Sequence, residues 1–191
     1  LRNIDYVTKR YIELILKIKP AFSRGMKGYF EDAENSIELS KKIKGKKPAI
    51  KLLMKRADTI LNGQYQYVDG EERLYLPTGK YVKMNFASSG QQEIVWVFNL
   101  LFYYLVENRR VYLILEEPES HLYPESQQAI GEVLGLFLNQ NNAVLVTTHS
   151  PYLLGTFNYM LLAGQSNHNQ EQSAKKILHK QYWLNAQESS A

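Results

Sequence analysis

Residues 111–119 read VYLILEEPE, and this stretch decides the fold of the chain. Val111 to Leu115 form a wholly apolar run, which is typical of a strand that is buried on both faces of a sheet. Two carboxylates, Glu116 and Glu117, follow where the strand ends. Open α/β sheets place their ligand-binding groups at this end of their strands. The stretch therefore predicts a functional strand of a parallel sheet.

A second apolar run, Ala143–Thr147, predicts another buried strand, and Pro124 begins a predicted helix between the two that ends near Leu138. Proline suits the first turn of a helix. Strand, helix and strand in this order form a parallel βαβ unit, so the fold class is α/β. His149 follows the second strand, and we expect it at the same sheet edge as the paired acids.

A long apolar-periodic helix is predicted from about Gln91 to Glu107, and residues 87–92, ASSGQQ, precede or begin it. Ser89 and Gln92 have the spacing of a capping box, which predicts that the helix N-terminus is presented at this point. Unpaired amides and the positive end of the helix dipole make such an N-terminus an anion site. The alternative is a plain helix cap without a ligand.

The pattern of apolar, polar and charged residues divides the chain into three predicted regions. Residues 1–63 are predicted to form a basic helical insertion, a lid or arm. Residues 64–86 are predicted to form a β-hairpin or meander around the Asp69-Gly70 turn. Residues 87–191 are predicted to form the remaining lobe. The predicted helices of the first region cover about 11–18, 31–44 and 48–61, and the predicted strands of the second cover 65–68, 72–76 and 81–86.

The C-terminal stretch has two predicted parts. From Gly164 the sequence becomes polar, which predicts a loop. A short segment over 177–184 follows, in which Tyr182 and Trp183 are expected to anchor the chain to the core.

Composition excludes some classes of protein and leaves others open. The chain has no cysteine, so disulfides and thiolate metal sites cannot stabilise it. No apolar run approaches the roughly 20 residues of a membrane span, and we expect a cytoplasmic protein. Residues 1–56 contain 15 basic and 6 acidic residues, whereas 57–191 contain 8 and 13. This asymmetry predicts either a contact with nucleic acid or an acidic partner, or simply a solvated lysine-rich surface.

Three motifs, in order, resemble the ATP-binding-cassette type of P-loop ATPase. Residues 87–92 resemble its signature motif, residues 113–119, LILEEPE, its Walker B strand, and residues 146–151, VTTHSP, its switch-histidine strand end. The sequence EEPESHLYP over residues 116–124 is similar to that of the cytosolic AAA-like branch of these ATPases. That branch includes DNA-repair and chromosome-organising (SMC-related) ATPases and the ATPase parts of OLD-type or anti-phage nucleases.

The resemblance implies a role for each motif. Glu116 would contact Mg²⁺, Glu117 would orient or deprotonate the attacking water, and His149 would contact the γ-phosphate of ATP. The signature residues Ser88, Ser89, Gly90 and Gln91 would contact the γ-phosphate bound by the opposite subunit, which implies a homodimer. Two positions depart from the family pattern, since Glu116 replaces the usual aspartate and Ser89 the usual first glycine. For Glu119, Ser120 and His121, at the position of the D-loop, a structural role is the favoured interpretation.

No Gly-x-x-x-x-Gly-Lys-Ser/Thr motif occurs among the 191 residues. We therefore expect a C-terminal fragment that lacks the Walker A loop, hydrolyses no ATP alone, and belongs to a magnesium-dependent ATPase which closes a head-to-tail dimer. A DNA or nuclease partner is possible in repair or phage defence. The alternatives are a nucleotide-gated dimerisation module with little turnover, and a fragment that binds nucleic acid independently of ATP.

Overall fold

The computed structural model describes residues 6–166 and 168–185. Helices dominate and surround two small sheets. The helices are α1 (Tyr6–Ile18), α2 (Gly25–Asn35), α3 (Ile37–Ile43), α4 (Lys47–Leu61), α5 (Ser89–Val106), α6 (Pro124–Leu138), α7 (Pro151–Gly164) and α8 (His168–Ile177). The strands are β1 (Gln64–Val68), β2 (Glu71–Tyr75), β3 (Tyr81–Lys83), β4 (Tyr112–Glu116) and β5 (Ala143–Thr147).

The N-terminal region is helical, as predicted, but its middle helix is divided. The sequence predicted one helix over 31–44, and the structure has α2 and α3, separated at Ser36. Ser36 has an extended backbone, and its side chain accepts a hydrogen bond from the Leu39 amide. A serine that caps a new helix therefore interrupts the old one. The predicted stop of α4 is confirmed, because Asn62 adopts the left-handed conformation that ends many helices.

The second region forms an antiparallel sheet in the order β1-β2-β3. Asp69 and Gly70, both at positive φ, make the predicted hairpin turn, and Val68 pairs with Glu71 across it. The third strand is shorter than predicted: it ends at Lys83, and Met84–Phe86 form a 3-10 turn that leads into α5.

The parallel βαβ unit is present, with β4 and β5 paired in parallel and α6 between them in the chain. The prediction that both strands are buried on both faces is wrong. Leu113 and Leu115 pack against the core, but Ile114 and Leu145 are 62% and 48% exposed. Apolar sequence alone could not distinguish two covered faces from one, because the covering layer is a property of the tertiary structure.

The core is one cluster of buried side chains that includes all three sequence regions. Helix α5 contributes its largest share, and it packs against α4 and α2. Arg56 on α4 forms an ion pair with the buried Glu132 on α6, and its guanidinium lies over the Tyr182 ring, 5.7 Å from the centroid. Burial raises the pKa of the Glu132 carboxyl, while Arg56 opposes that shift. The helical region is thus attached to the lobe by both apolar and charged contacts, and the threefold division of the chain stays a prediction.

The C-terminal part differs from expectation in one element. The polar stretch predicted as a loop contains helix α8 over His168–Ile177. Glu171 accepts from Lys175 at 2.8 Å and from Lys180 at 2.7 Å, so ion pairs compensate for the lack of an apolar face. The predicted anchors are confirmed, because Tyr182 is buried and Trp183 packs against the core.

Candidate active site

Two parallel strands end side by side at one edge of the lobe. Glu116, the last residue of β4, lies opposite Thr147, the last residue of β5. The Glu117 amide extends this pairing by donating to the Thr147 carbonyl at 2.9 Å. The residues that follow the two strands are therefore neighbours, as the βαβ prediction required.

The imidazole and the second acid meet at this edge. His149 Nε2 lies 3.4 Å from Glu117 Oε1. The His149 side chain is 91% exposed and that of Glu117 is 48% exposed, so both groups are open to a ligand. The expectation of acids at a buried strand end is wrong, since Glu116 is also exposed. The contact that carries the predicted roles of Glu117 and His149 is present, and the roles themselves stay predictions.

The backbone of Glu117 is unusual for a residue with a side chain. It has a φ of +43°, in the left-handed region that costs most residues free energy. A tight turn keeps it there: the Ser120 amide donates to the Glu117 carbonyl at 2.9 Å, and the Ser120 hydroxyl donates to the same carbonyl at 2.8 Å. Such conformations cluster at functional sites, where a surrounding structure maintains the orientation of one side chain.

Glu119 ties the two loops at this edge together, and sequence reasoning missed this link. Its side chain is buried, and one carboxylate oxygen accepts a short hydrogen bond from the Thr148 hydroxyl. The Thr148 oxygen accepts in turn from the Ser150 amide at 2.9 Å, and Ser150 caps α7. Residues on both sides of His149 are therefore held by the turn that contains Glu117. The βαβ pattern predicted that the two loops are neighbours, but it did not predict the hydrogen bond between Glu119 and Thr148.

The signature-like turn caps α5 in a different register from the one predicted. Ser88, not Ser89, is the N-cap: its hydroxyl accepts from the Gln91 amide at 3.3 Å, and its amide donates to Gln91 Oε1 at 3.0 Å. The predicted capping box of Ser89 and Gln92 is therefore wrong by one residue. The reason is that Ser88 is the last extended residue, whereas Ser89 already belongs to the helix.

The four signature residues divide into two pairs. Ser88 and Ser89 are exposed at the helix N-terminus. Gly90 is buried so closely that a Cβ there would lie 2.6 Å from the His121 carbonyl oxygen. Gln91 uses its side-chain amide to donate to the Leu61 carbonyl at 2.7 Å, at the end of α4. Gly90 and Gln91 thus hold the turn against its own chain, whereas Ser88 and Ser89 face solvent.

The turn after Glu117 also contacts the start of α5. His121, at a φ of +59°, places its Nδ1 3.0 Å from Glu93 Oε2, and its carbonyl adjoins Gly90. The signature-like turn and the paired acids are consequently parts of one continuous structure.

The oxygen donors at this edge suit Mg²⁺ in the way nucleotide enzymes bind it. Within residues 6–166 and 168–185 no group of three or more His, Cys, Asp or Glu side chains could hold a metal ion. Mg²⁺ at such sites usually retains several waters and takes one or two carboxylates together with substrate phosphates. The exposed carboxylate of Glu116, at the strand end, fits that requirement.

Among residues 6–166 and 168–185, no helix is long and apolar enough to cross a bilayer.

Comparison with known families matches residues 3–154 to the AAA ATPase domain. The matched range includes the helical region, the antiparallel sheet, the signature-like turn, both paired acids and His149. No curated protein matches the chain. The family is of the P-loop ATPase type, which generally uses ATP and Mg²⁺. A match over most of the chain shows that this protein belongs to the AAA ATPase domain family.

Proposed function

We propose that this chain supplies one half of an ATP-hydrolysing site that is completed at a head-to-tail dimer interface. The contact between Glu117 and His149, 3.4 Å apart at the carboxyl ends of two parallel strands, is the observation that carries the proposal. An exposed acid next to an exposed imidazole suits the γ-phosphate end of a nucleotide and its attacking water.

Each group has a proposed task. Glu117 orients the attacking water and accepts its proton, since a carboxylate at this position is a suitable general base. His149 donates a hydrogen bond to the γ-phosphate. Glu116 would hold Mg²⁺, which neutralises phosphate charge when it is bound. Glu119 positions the His149 loop through Thr148 and touches no reacting atom.

The dimer is proposed from the signature-like turn. Ser88 and Ser89 present hydroxyls and the N-terminus of the 18-residue helix α5 to solvent, and helix N-termini bind anions well. In the proposed arrangement they contact the γ-phosphate held by the partner subunit. The phosphate-binding loop comes from residues other than these 191, because the sequence contains no such motif. The exposed Ile114 and Leu145 provide an apolar surface that a further layer of structure would cover.

We further propose that hydrolysis is coupled to work on nucleic acid, in DNA repair or anti-phage defence in the manner of OLD- or SMC-related ATPases. The support is the EEPESHLYP sequence, which resembles that cytosolic branch, together with the basic N-terminal region.

The full-length protein with Glu117→Gln tests the catalytic assignment. Loss of the general base should lower kcat for ATP about 100-fold or more. Because binding groups remain, size-exclusion chromatography with ATP and Mg²⁺ should show a persistent dimer. Glu125→Gln, an exposed acid in the first turn of α6, is the matched control and should hydrolyse ATP normally. Unchanged turnover in Glu117→Gln would reject the proposal. If the unsubstituted protein dimerises with ATP but does not hydrolyse it, the result would favour a nucleotide-gated module.

A further inference from the structure

The opposite end of the parallel sheet carries a different kind of surface. Strands β4 and β5 begin at Tyr112 and Ala143, which are paired, so the residues just before them lie far along the sheet from the paired acids. Two adjoining cavities open there, of about 470 and 410 Å³. Arg110 and Asn141 line both, and together the two cavities form what we call the basal trough.

The trough is cationic and rich in amides. The smaller cavity is lined by Lys46, Asn108, Arg110, Gln140 and Asn141, and the larger adds further asparagines and the ring of Tyr112. Of the residues that line the two cavities in the described part of the chain, none is an aspartate or a glutamate. Asn108 and Asn141 both occupy tight turns at positive φ. A surface of this composition can bind an anion and discriminates against a cation.

The guanidinium of Arg110 is oriented by a single hydrogen bond. Its Nε donates to the Asn141 carbonyl at 3.0 Å. Within the described residues, no carboxylate pairs with the two terminal nitrogens of this guanidinium. Because Nε alone is engaged, the two terminal nitrogens can bind two oxygens of one phosphate in a bidentate manner.

Lys46 differs from Lys42 and Lys47. Lys42 pairs with Glu38 at 2.5 Å and Lys47 with Glu34 at 2.7 Å. Lys46 is half-buried, and among residues 6–166 and 168–185 no acid forms an ion pair with it. Burial lowers the pKa of its ammonium group, which means that the charged form lacks full compensation. An anion bound in the trough would supply that compensation.

We propose that the basal trough binds the phosphodiester backbone of a nucleic acid. Two adjoining cavities offer room for more than one phosphate, and amides commonly donate to phosphate and sugar oxygens. The Tyr112 ring, 62% exposed, offers a face on which a base can stack. A free phosphate ion would use neither the aromatic ring nor the second cavity.

The basal trough would add a nucleic-acid surface to the proposed ATPase. Binding is measured without ATP, so that failure of the nucleic-acid site can be distinguished from failure of the proposed ATPase activity. Fluorescence anisotropy of the full-length protein would be measured with labelled single-stranded DNA, duplex DNA and RNA of one sequence, over a range of salt concentrations. Lys46→Gln and Arg110→Gln are compared with Lys55→Gln. Lys55 is an exposed lysine of α4 outside the trough, so it matches the charge change.

Binding to at least one probe should weaken about tenfold in Arg110→Gln and by a smaller factor in Lys46→Gln, with Lys55→Gln unchanged. Each lost phosphate contact should also reduce the slope of log K against log salt by about 0.9 for duplex DNA. The probe with the highest affinity identifies the form of nucleic acid. Equal weakening in all three variants, or binding only to phosphatidylserine vesicles, would overturn the proposal, as would tight binding that the Arg110 and Lys46 variants leave intact.

Discussion

The two sheets of the molecule differ in how completely each is enclosed. The antiparallel sheet buries Tyr65 and Leu74 in the core, and its Glu72 accepts from the Tyr65 hydroxyl, the Trp96 indole and the Lys19 ammonium at 2.8 to 3.1 Å. The parallel sheet leaves Ile114 and Leu145 exposed and ends in a strained, open turn. The first sheet thus directs its central side chains into the core of its own chain, although Tyr81 at its edge is 46% exposed. The second sheet leaves apolar side chains and the paired acids in solvent, which is the property that distinguishes the candidate functional region.

The largest expected difference between the sheets is in the cost of truncating a side chain. Leu74 of β2 is fully buried, and Leu74→Ala should lower the free energy of unfolding by about 2–5 kcal/mol. Ile114→Ala should change it by about 0.5 kcal/mol or less, because the side chain is already in water. Urea denaturation of the 191-residue chain measures both. A large cost at Ile114 would show that the parallel sheet is covered in solution and would remove the contrast.

Substitution of Glu119 tests whether its hydrogen bond to Thr148 holds the loops together at the exposed end of the parallel sheet. Glu119→Ala should destabilise the chain by about 1–3 kcal/mol, because it removes the hydrogen bond between a buried carboxylate and the half-buried Thr148 hydroxyl. In the full-length protein it should also lower ATP turnover, since the loop that carries His149 is released. A double-mutant cycle with Thr148→Ala should give a coupling energy of at least about 0.5 kcal/mol. Additive effects of the two substitutions would mean that the hydrogen bond does not link the loops.

Gly90 tests the contact between the signature-like turn and the turn after Glu117. In Gly90→Ala the new methyl group would meet the His121 carbonyl, so we expect a loss of about 1–3 kcal/mol from overpacking. Gly155→Ala is the control, because a Cβ there meets open space in α7 and should be neutral or stabilising by about 0.5–1 kcal/mol. Thermal unfolding compares the two variants. If Gly90→Ala behaves like the control, the two turns are not packed as described.

The smallest effect is expected at α8, outside both sheets. The ammonium groups of Lys175 and Lys180 lower the pKa of Glu171 from 4.5 to about 2. A lowered pKa means that the ion pairs stabilise α8 above about pH 4.5, and that this stabilisation is lost as the pH falls toward 2. Glu171→Gln should therefore lower the melting temperature slightly at neutral pH. The difference in melting temperature from the unsubstituted chain should become smaller as the pH is lowered. A difference that is constant with pH would assign the effect to packing instead.

The sequence predicted the elements with strong local signals. The strand predicted over Val111–Leu115 is present over Tyr112–Glu116, Ala143–Thr147 is a strand, Asp69-Gly70 is the hairpin turn, and Asn62 ends α4. It failed where two local signals compete over one residue. Ser36 divided a predicted helix, and Ser88 took the capping position expected of Ser89, because a serine can either cap a helix or begin one. Helix α8 was missed because its stability comes from ion pairs and not from apolar periodicity.

For the candidate site, sequence order determined which residues lie at one edge. Parallel strands joined by a helix must end on the same side, so Glu116, Glu117 and His149 could be placed together from the chain alone. Only the tertiary structure decided the exposure of that edge, the burial of Glu119 against Thr148, and the seating of Gly90 on His121. It also brought Lys46 to Arg110 in the basal trough. The physical reason is that patterns along a chain specify local conformation and direction, whereas contacts between distant residues depend on how the finished elements pack.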